Sequence, residues 1–162
     1  MFTTFSSRTT STVCYTSGAL EALTTTRNAM KKGYKDNIEN LTVENSNFRK
    51  VLYSGEQMQL VLMSLKPGED IGSEVHPEND QFFRIDAGSG KAVINETEYD
   101  ISDGDAVIVP KGAEHNVINT SETEDLKFYT IYAPSHHKDG IVRETKEEAL
   151  ANEEDFDGKT TE

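Results

Sequence analysis

Cysteine is almost absent from this chain. Cys14 is the single one, which excludes an internal disulfide and any cysteine-based zinc cluster within one chain, and is compatible with a reducing compartment. Long apolar runs are missing too, so no segment has the length of a membrane-spanning helix. No stretch near the start carries the apolar core, roughly 7–15 residues, of a secretory signal. Positive charge is scarce: 16 Lys and Arg stand against 29 Asp and Glu, a net charge of −13. Such a surface repels phosphate backbones, which excludes nucleic acid as the expected partner. A small molecule is the expected partner, with no membrane.

The few basic residues are unevenly placed. Arg8, Arg27, Lys31, Lys32 and Lys35 face one acid, Glu21, in residues 1–35. Residues 1–29 are rich in Ser and Thr, with two arginines, a composition shared by organelle transit peptides and by disordered tails. Met30-Lys31-Lys32-Gly33-Tyr34 itself reads like a start. Two readings therefore stand: a targeting extension, or a tail carried upstream of the folded part. The expected compartment is cytoplasmic, or an organellar matrix if residues 1–29 act as a transit peptide. The division expected is an extension over 1–33, a β-barrel over 34–134, and a loop, short helix and acidic tail over 135–162.

From Asn47 the pattern changes to short strands. Phe48–Ser54 is one, and Met58–Leu65 is an apolar run suited to a strand buried on both faces. Ile71–His76 ends at Pro77, which cannot continue a ladder. Gln81–Asp86, Lys91–Ile94, Thr97–Ile101, Ala106–Val109, Glu114–Asn119 and Leu126–Tyr132 follow, separated by Gly, Pro, Asp and Asn turns. This spacing predicts an all-β barrel or sandwich, and the βα repeats of a parallel sheet are missing. Thr145-Lys-Glu-Glu148 matches a capping box ahead of a short helix. Asn152–Glu162 is mostly acids and small polar residues, and disorder is expected there.

Two blocks carry the chemistry. The first runs Gly68-Glu-Asp-Ile-Gly-Ser-Glu74-Val-His76-Pro-Glu-Asn-Asp-Gln81 and closes at Gly88. The second runs from Gly104 through Pro110, Gly112 and His115 to Asn119. Alternate side chains of a strand share a face, so Glu74 and His76 can point into a barrel together. Gln81 returns beside them after the Pro77–Asp80 turn, and His115 opens a later strand. Converged, the four offer two imidazoles, a carboxylate and an amide oxygen, a set suited to a divalent ion such as Zn, Fe, Mn, Ni or Co. Without an ion, His76 and His115 would be interior polar residues bonded to their neighbours.

These blocks resemble the two motifs of the cupin superfamily. The second fits G-x5-P-x-G-x2-H-x3-N at Gly104, Pro110, Gly112, His115 and Asn119. The first fits G-x5-H-x-H-x4-E-x6-G at Gly68, His76 and Gly88, and departs where Glu74 replaces the first His and Gln81 replaces the Glu. The resemblance implies a single antiparallel jelly-roll barrel, paired as a homodimer. It implies a metal held by Glu74, His76, Gln81 and His115; the same residue types, in another order, hold zinc in type I phosphomannose isomerases, which are also cupins. Cupins include sugar isomerases, dioxygenases and non-catalytic sugar-binding members, so the fold alone fixes no activity.

Around the blocks, Glu69, Asp70, Glu78 and Asp80 read as solvated turn acids. His136-His137 reads as a solvent-facing pair. Phe83, Ile85 and Val117 share the parity of the candidate ligands and should wall the pocket. On the last strand either Tyr129 and Ile131 or Phe128, Thr130 and Tyr132 face inward, and the sequence leaves that register open. Arg84 should point outward, which leaves no obvious phosphate clamp.

Overall fold

The computed structural model describes residues 30–162, and the folded unit spans 31–162. The expectations for residues 1–29, and for Cys14, lie outside the described residues. In chain order the elements are α1 (Ile38–Glu44), β1 (Arg49–Ser54), β2 (Gln59–Leu65), β3 (Glu74–Val75), β4 (Asp80–Ala87) and β5 (Ser89–Ile94). They continue with β6 (Thr97–Ser102), β7 (Ala106–Val109), β8 (Glu114–Asn119), β9 (Leu126–Ala133), β10 (Val142–Arg143) and α2 (Lys146–Ala151).

All strand pairs are antiparallel. They form a six-stranded sheet, β10-β1-β2-β9-β4-β7, and a four-stranded sheet, β3-β8-β5-β6. The fold is the expected all-β jelly roll. Inward positions alternate along β4 and β9, so Phe83, Ile85, Phe128 and Tyr132 are buried in the core. Fully burying side chains of this size stabilises by about 1.5–3 kcal/mol each. Val117 is buried too, but Phe83, Ile85 and Val117 pack the core and do not wall the cavity beside the candidate ligands. Strand β9 resolves its register: Phe128, Thr130 and Tyr132 face in.

Strand β2 is buried on both faces because it is central in its sheet and α1 crosses its outer side. No element was expected over 36–46. Asn37 starts the helix there by accepting from the Asn40 amide at 3.2 Å, an ordinary N-cap bond. The expected strand Ile71–His76 shrinks to Glu74–Val75, since Gly72 takes φ 96° and breaks the ladder. Half of the capping box forms: Thr145 accepts from Glu148 N at 3.2 Å, while the Glu148 carboxylate accepts from Glu144 N at 2.9 Å, one residue ahead of the cap.

Residues 152–162 correct the expectation of a disordered tail. Asp155 bridges His137, Phe156 N donates to His136 O at 2.8 Å, and Thr161 N donates to Ser54 O at 2.9 Å. Backbone hydrogen bonds, which do not depend on apolar composition, lay this segment along the histidine loop as a strap. Among the described residues no helix is long and apolar enough to cross a membrane.

Candidate metal centre

The two sequence blocks are zipped together by backbone bonds. Asn119 N donates to Glu69 O at 2.8 Å, Ile71 N to Val117 O at 3.0 Å, and Gly112 N to His76 O at 2.8 Å. The register makes Glu74 and His115 direct cross-strand partners. His76 follows one residue past β3, still on the Glu74 side. Gln81 comes from the opposite sheet, on β4, where it pairs with Tyr132 of β9.

All four residues named from the sequence meet. His76 Nε2 lies 3.1 Å from Glu74 Oε2, and His115 Nε2 lies 3.0 Å from Gln81 Oε1. Glu74, His76 and His115 each offer one ligand atom, and these atoms lie within 4.8 Å of one another. His76, His115 and Gln81 are buried, while Glu74 is partly open. Burial acts to raise the Glu74 carboxyl. The hydrogen bond from His76 and the charges of His76, Arg49 and His115 outweigh it, so the group titrates below the ordinary carboxylate range. Burial also lowers His115, which keeps that imidazole neutral at neutral pH.

The donor set fits a divalent ion in a second way. The Nδ1 of His115 faces the Ala113 carbonyl at 3.2 Å, and its Nε2 faces the Gln81 amide oxygen. Both neighbours are acceptors, yet a neutral imidazole carries one N–H. If Nδ1–H serves Ala113, as histidine ligands commonly do with a backbone carbonyl, the Nε2 lone pair confronts an oxygen lone pair. A cation relieves that confrontation. In this orientation the Gln81 amide donates through Nε2 to Thr130 Oγ1 at 3.0 Å.

A family model described as "Cupin domain" matches residues 61–132. YrkC of Bacillus subtilis (strain 168) is 43% identical over 139 residues, covering 79% of this chain and 74% of that protein. The chain belongs to the cupin family. This cupin is also 42% identical to L612 of Acanthamoeba polyphaga mimivirus over 112 residues, covering 67% of the chain and 70% of the relative. Among solved structures, BH2720 of Bacillus halodurans is 40% identical with a TM-score of 0.71, covering 74% of this cupin and 94% of that chain.

A cavity of ≈ 250 Å³ opens against the site, with Glu74 and His76 on its wall. Its other walls were not foreseen. His136 and His137 are not solvent-facing. The His136 ring lies 4.4 Å from that of His76, and His137 is buried with its Nε2 3.3 Å from the Tyr132 hydroxyl. Burial, then the charge of His76, pushes His136 down to about 4. Burial and the charge of Arg49 push His137 well below the usual histidine range. The sequence signal that could have found them is their place directly after the last core strand. No phosphate clamp was evident from the sequence, yet a cation stands here: Arg49, at the start of β1, lines the cavity. Arg84 does point outward, donating to Gly104 O.

The turn acids have local partners. Glu69 accepts from Lys66 N at 2.9 Å, Asp80 accepts from Lys111 N at 2.9 Å, and Asp70 engages Asn116 and Lys146. Glu78 is exposed.

Proposed function

We propose that this cupin is a metal-binding protein that binds or transforms a small polar organic molecule. The ion is held by Glu74, His76 and His115, with the Gln81 oxygen as the fourth donor. The observation that carries this reading is the convergence of three ligand atoms within 4.8 Å; the facing acceptors at His115 support it. A divalent ion, when bound, polarises a carbonyl or hydroxyl oxygen of the ligand.

The chain's own residues supply the rest. The cavity shelters a ligand beside Glu74 and His76. His136 stands on its wall as a neutral imidazole near neutral pH, the form that accepts a proton from bound substrate. Val75 and the 153–155 part of the strap complete the mouth. Isomerisation and oxygen-dependent oxidation both suit two imidazoles with a carboxylate, and they separate by whether turnover needs O2.

Metal analysis of the purified protein tests this reading. Stoichiometric divalent metal is expected, with loss in the His76→Ala/His115→Ala double variant. A second reading, a metal-free binding module, is favoured by one observation. Turning the Gln81 amide over would let its NH2 donate to His115 Nε2 and its oxygen accept from Thr130, which satisfies every group without an ion. A well-folded protein free of metal after growth and purification in metal-supplemented medium would establish that second reading.

A further inference from the structure

Arg49 is a buried cation with little to hold. Its residue is 6% exposed. Its one ion-pair contact among the described residues is Glu74 Oε1 at 3.9 Å, too long for a hydrogen bond. Its Nε is buried with no hydrogen-bond partner. A guanidinium carries five donors, and leaving even this Nε–H unmet in a buried place is costly. The side chain lines the same cavity as Glu74, His76 and His136. It is therefore a cation aimed into a ligand pocket.

We propose that Arg49 is an anion-binding residue and that the ligand of this cavity is a small monocarboxylate. Its carboxylate lies on the guanidinium, and a neighbouring hydroxyl or carbonyl oxygen is directed to the Glu74–His76 end. The second contact rests on the metal reading above; the first does not.

Size and charge narrow the class. The cavity, at ≈ 250 Å³, is below the roughly 300–1,000 Å³ that holds drug-sized ligands. Arg49 and Glu74 carry opposite charges on the cavity wall, so a divalent ion beside them adds a surplus of positive charge that a carboxylate matches. The outer rim is acidic. Glu153 and Asp155 lie on the strap at the mouth, and Glu154 there is engaged by Lys138 at 3.4 Å and Arg143 at 3.8 Å. That rim opposes multiply charged anions such as phosphate. The inner cation and outer acids together select one negative charge.

The test is a calorimetric titration of glycolate, its uncharged counterpart glycolamide, and inorganic phosphate. Wild-type protein, Arg49→Met and Arg49→Lys are compared, with metal content measured on each sample. Wild type is expected to prefer glycolate to glycolamide by roughly tenfold or more, the scale of a charge-assisted hydrogen bond, and to bind phosphate more weakly than glycolate. In Arg49→Met the glycolate preference should fall by about fivefold or more with metal content unchanged; Arg49→Lys, which keeps the charge without the fork, should lie between. No preference in wild type, including no binding of either, overturns the proposal. So does a preference undiminished in Arg49→Met, or phosphate binding more tightly than glycolate. If Arg49→Met fails to fold, undiminished glycolate affinity in Arg49→Lys overturns it. A role confined to steadying Glu74 would change metal content and leave the preference alone. Failure of the metal reading appears separately, as metal-free wild-type protein.

Discussion

The imidazole of His115 and the amide of Gln81 meet at 3.0 Å across the barrel, one from β8 of the small sheet and one from β4 of the large sheet. The contact joins two sheets, and when His115 keeps its proton on Nδ1 for the Ala113 carbonyl both groups present electron pairs to each other. Gln81→Glu tests what lies between them. With an ion present, a second carboxylate should tighten metal binding by roughly tenfold or more, and the Thr130 hydroxyl can rotate to donate to it. Without an ion, the substitution removes the amide donor that His115 needs, and the variant should gain no metal affinity. Competition with a chromogenic chelator reads the difference.

Acid should unfold the chelator-treated protein earlier than its surface charges would suggest. The fold holds His136 and His137 neutral, His136 down to about 4, whereas an unfolded chain protonates histidine near 6.5. The unfolded state therefore binds more protons in that interval, and stability falls as pH drops through it. Urea midpoints should be level above about pH 7 and decline from about 6.5 towards 4. In His137→Gln the decline should be shallower by up to one proton's worth of slope.

Asn119 closes the second block but points away from the cavity chemistry. Its Nδ2 donates to Leu65 O at 2.9 Å and Glu124 O at 2.8 Å, and its oxygen accepts from Ser121 N at 2.9 Å. Asn119→Ala strips partners from two carbonyls and should cost about 2–4 kcal/mol. That corresponds to a fall in Tm of roughly 5–15 °C for a chain of this size. Metal content at low temperature should be unchanged, as scanning calorimetry and metal analysis on the same sample would show.

Gly88→Ala should be severe. The residue has φ 84°, and an added Cβ would collide with the Asp125 carbonyl and press on Leu126 Cα at 3.0 Å. Backbone strain and collision together should cost about 3 kcal/mol or more. A denaturant titration checks it, and a variant as stable as wild type would mean that the turn into β5 can be rebuilt.

Strands β4 to β9 were legible because each is a short alternating or β-branched run between turn residues. The candidate ligands were legible because the spacing of Glu74, His76, Gln81 and His115 survives two substitutions in the pattern. What escaped depends on contacts between distant segments. The register Gln81 opposite Tyr132 decides which face of β9 looks inward, and nothing local to β9 encodes it. Arg49 sits among ordinary strand residues, and only the fold carries it to Glu74. The tail misled because its acids and small residues resemble solvated sequence, while its order comes from main-chain bonding to 54, 136 and 138.

The histidine loop is gripped from two sides of unequal strength. From the core, the buried amide of Gln59 donates to Ser54 Oγ at 2.7 Å and His137 O at 2.6 Å, and accepts from His137 N at 2.8 Å. From outside, the strap touches the same loop through backbone bonds between half-buried and exposed residues. A clasp that faces water opens more readily than one in the interior. The outer fastening is therefore expected to open before the inner one, which holds the backbone of both histidines to Gln59. A guest can come and go without the room behind that fastening losing its shape.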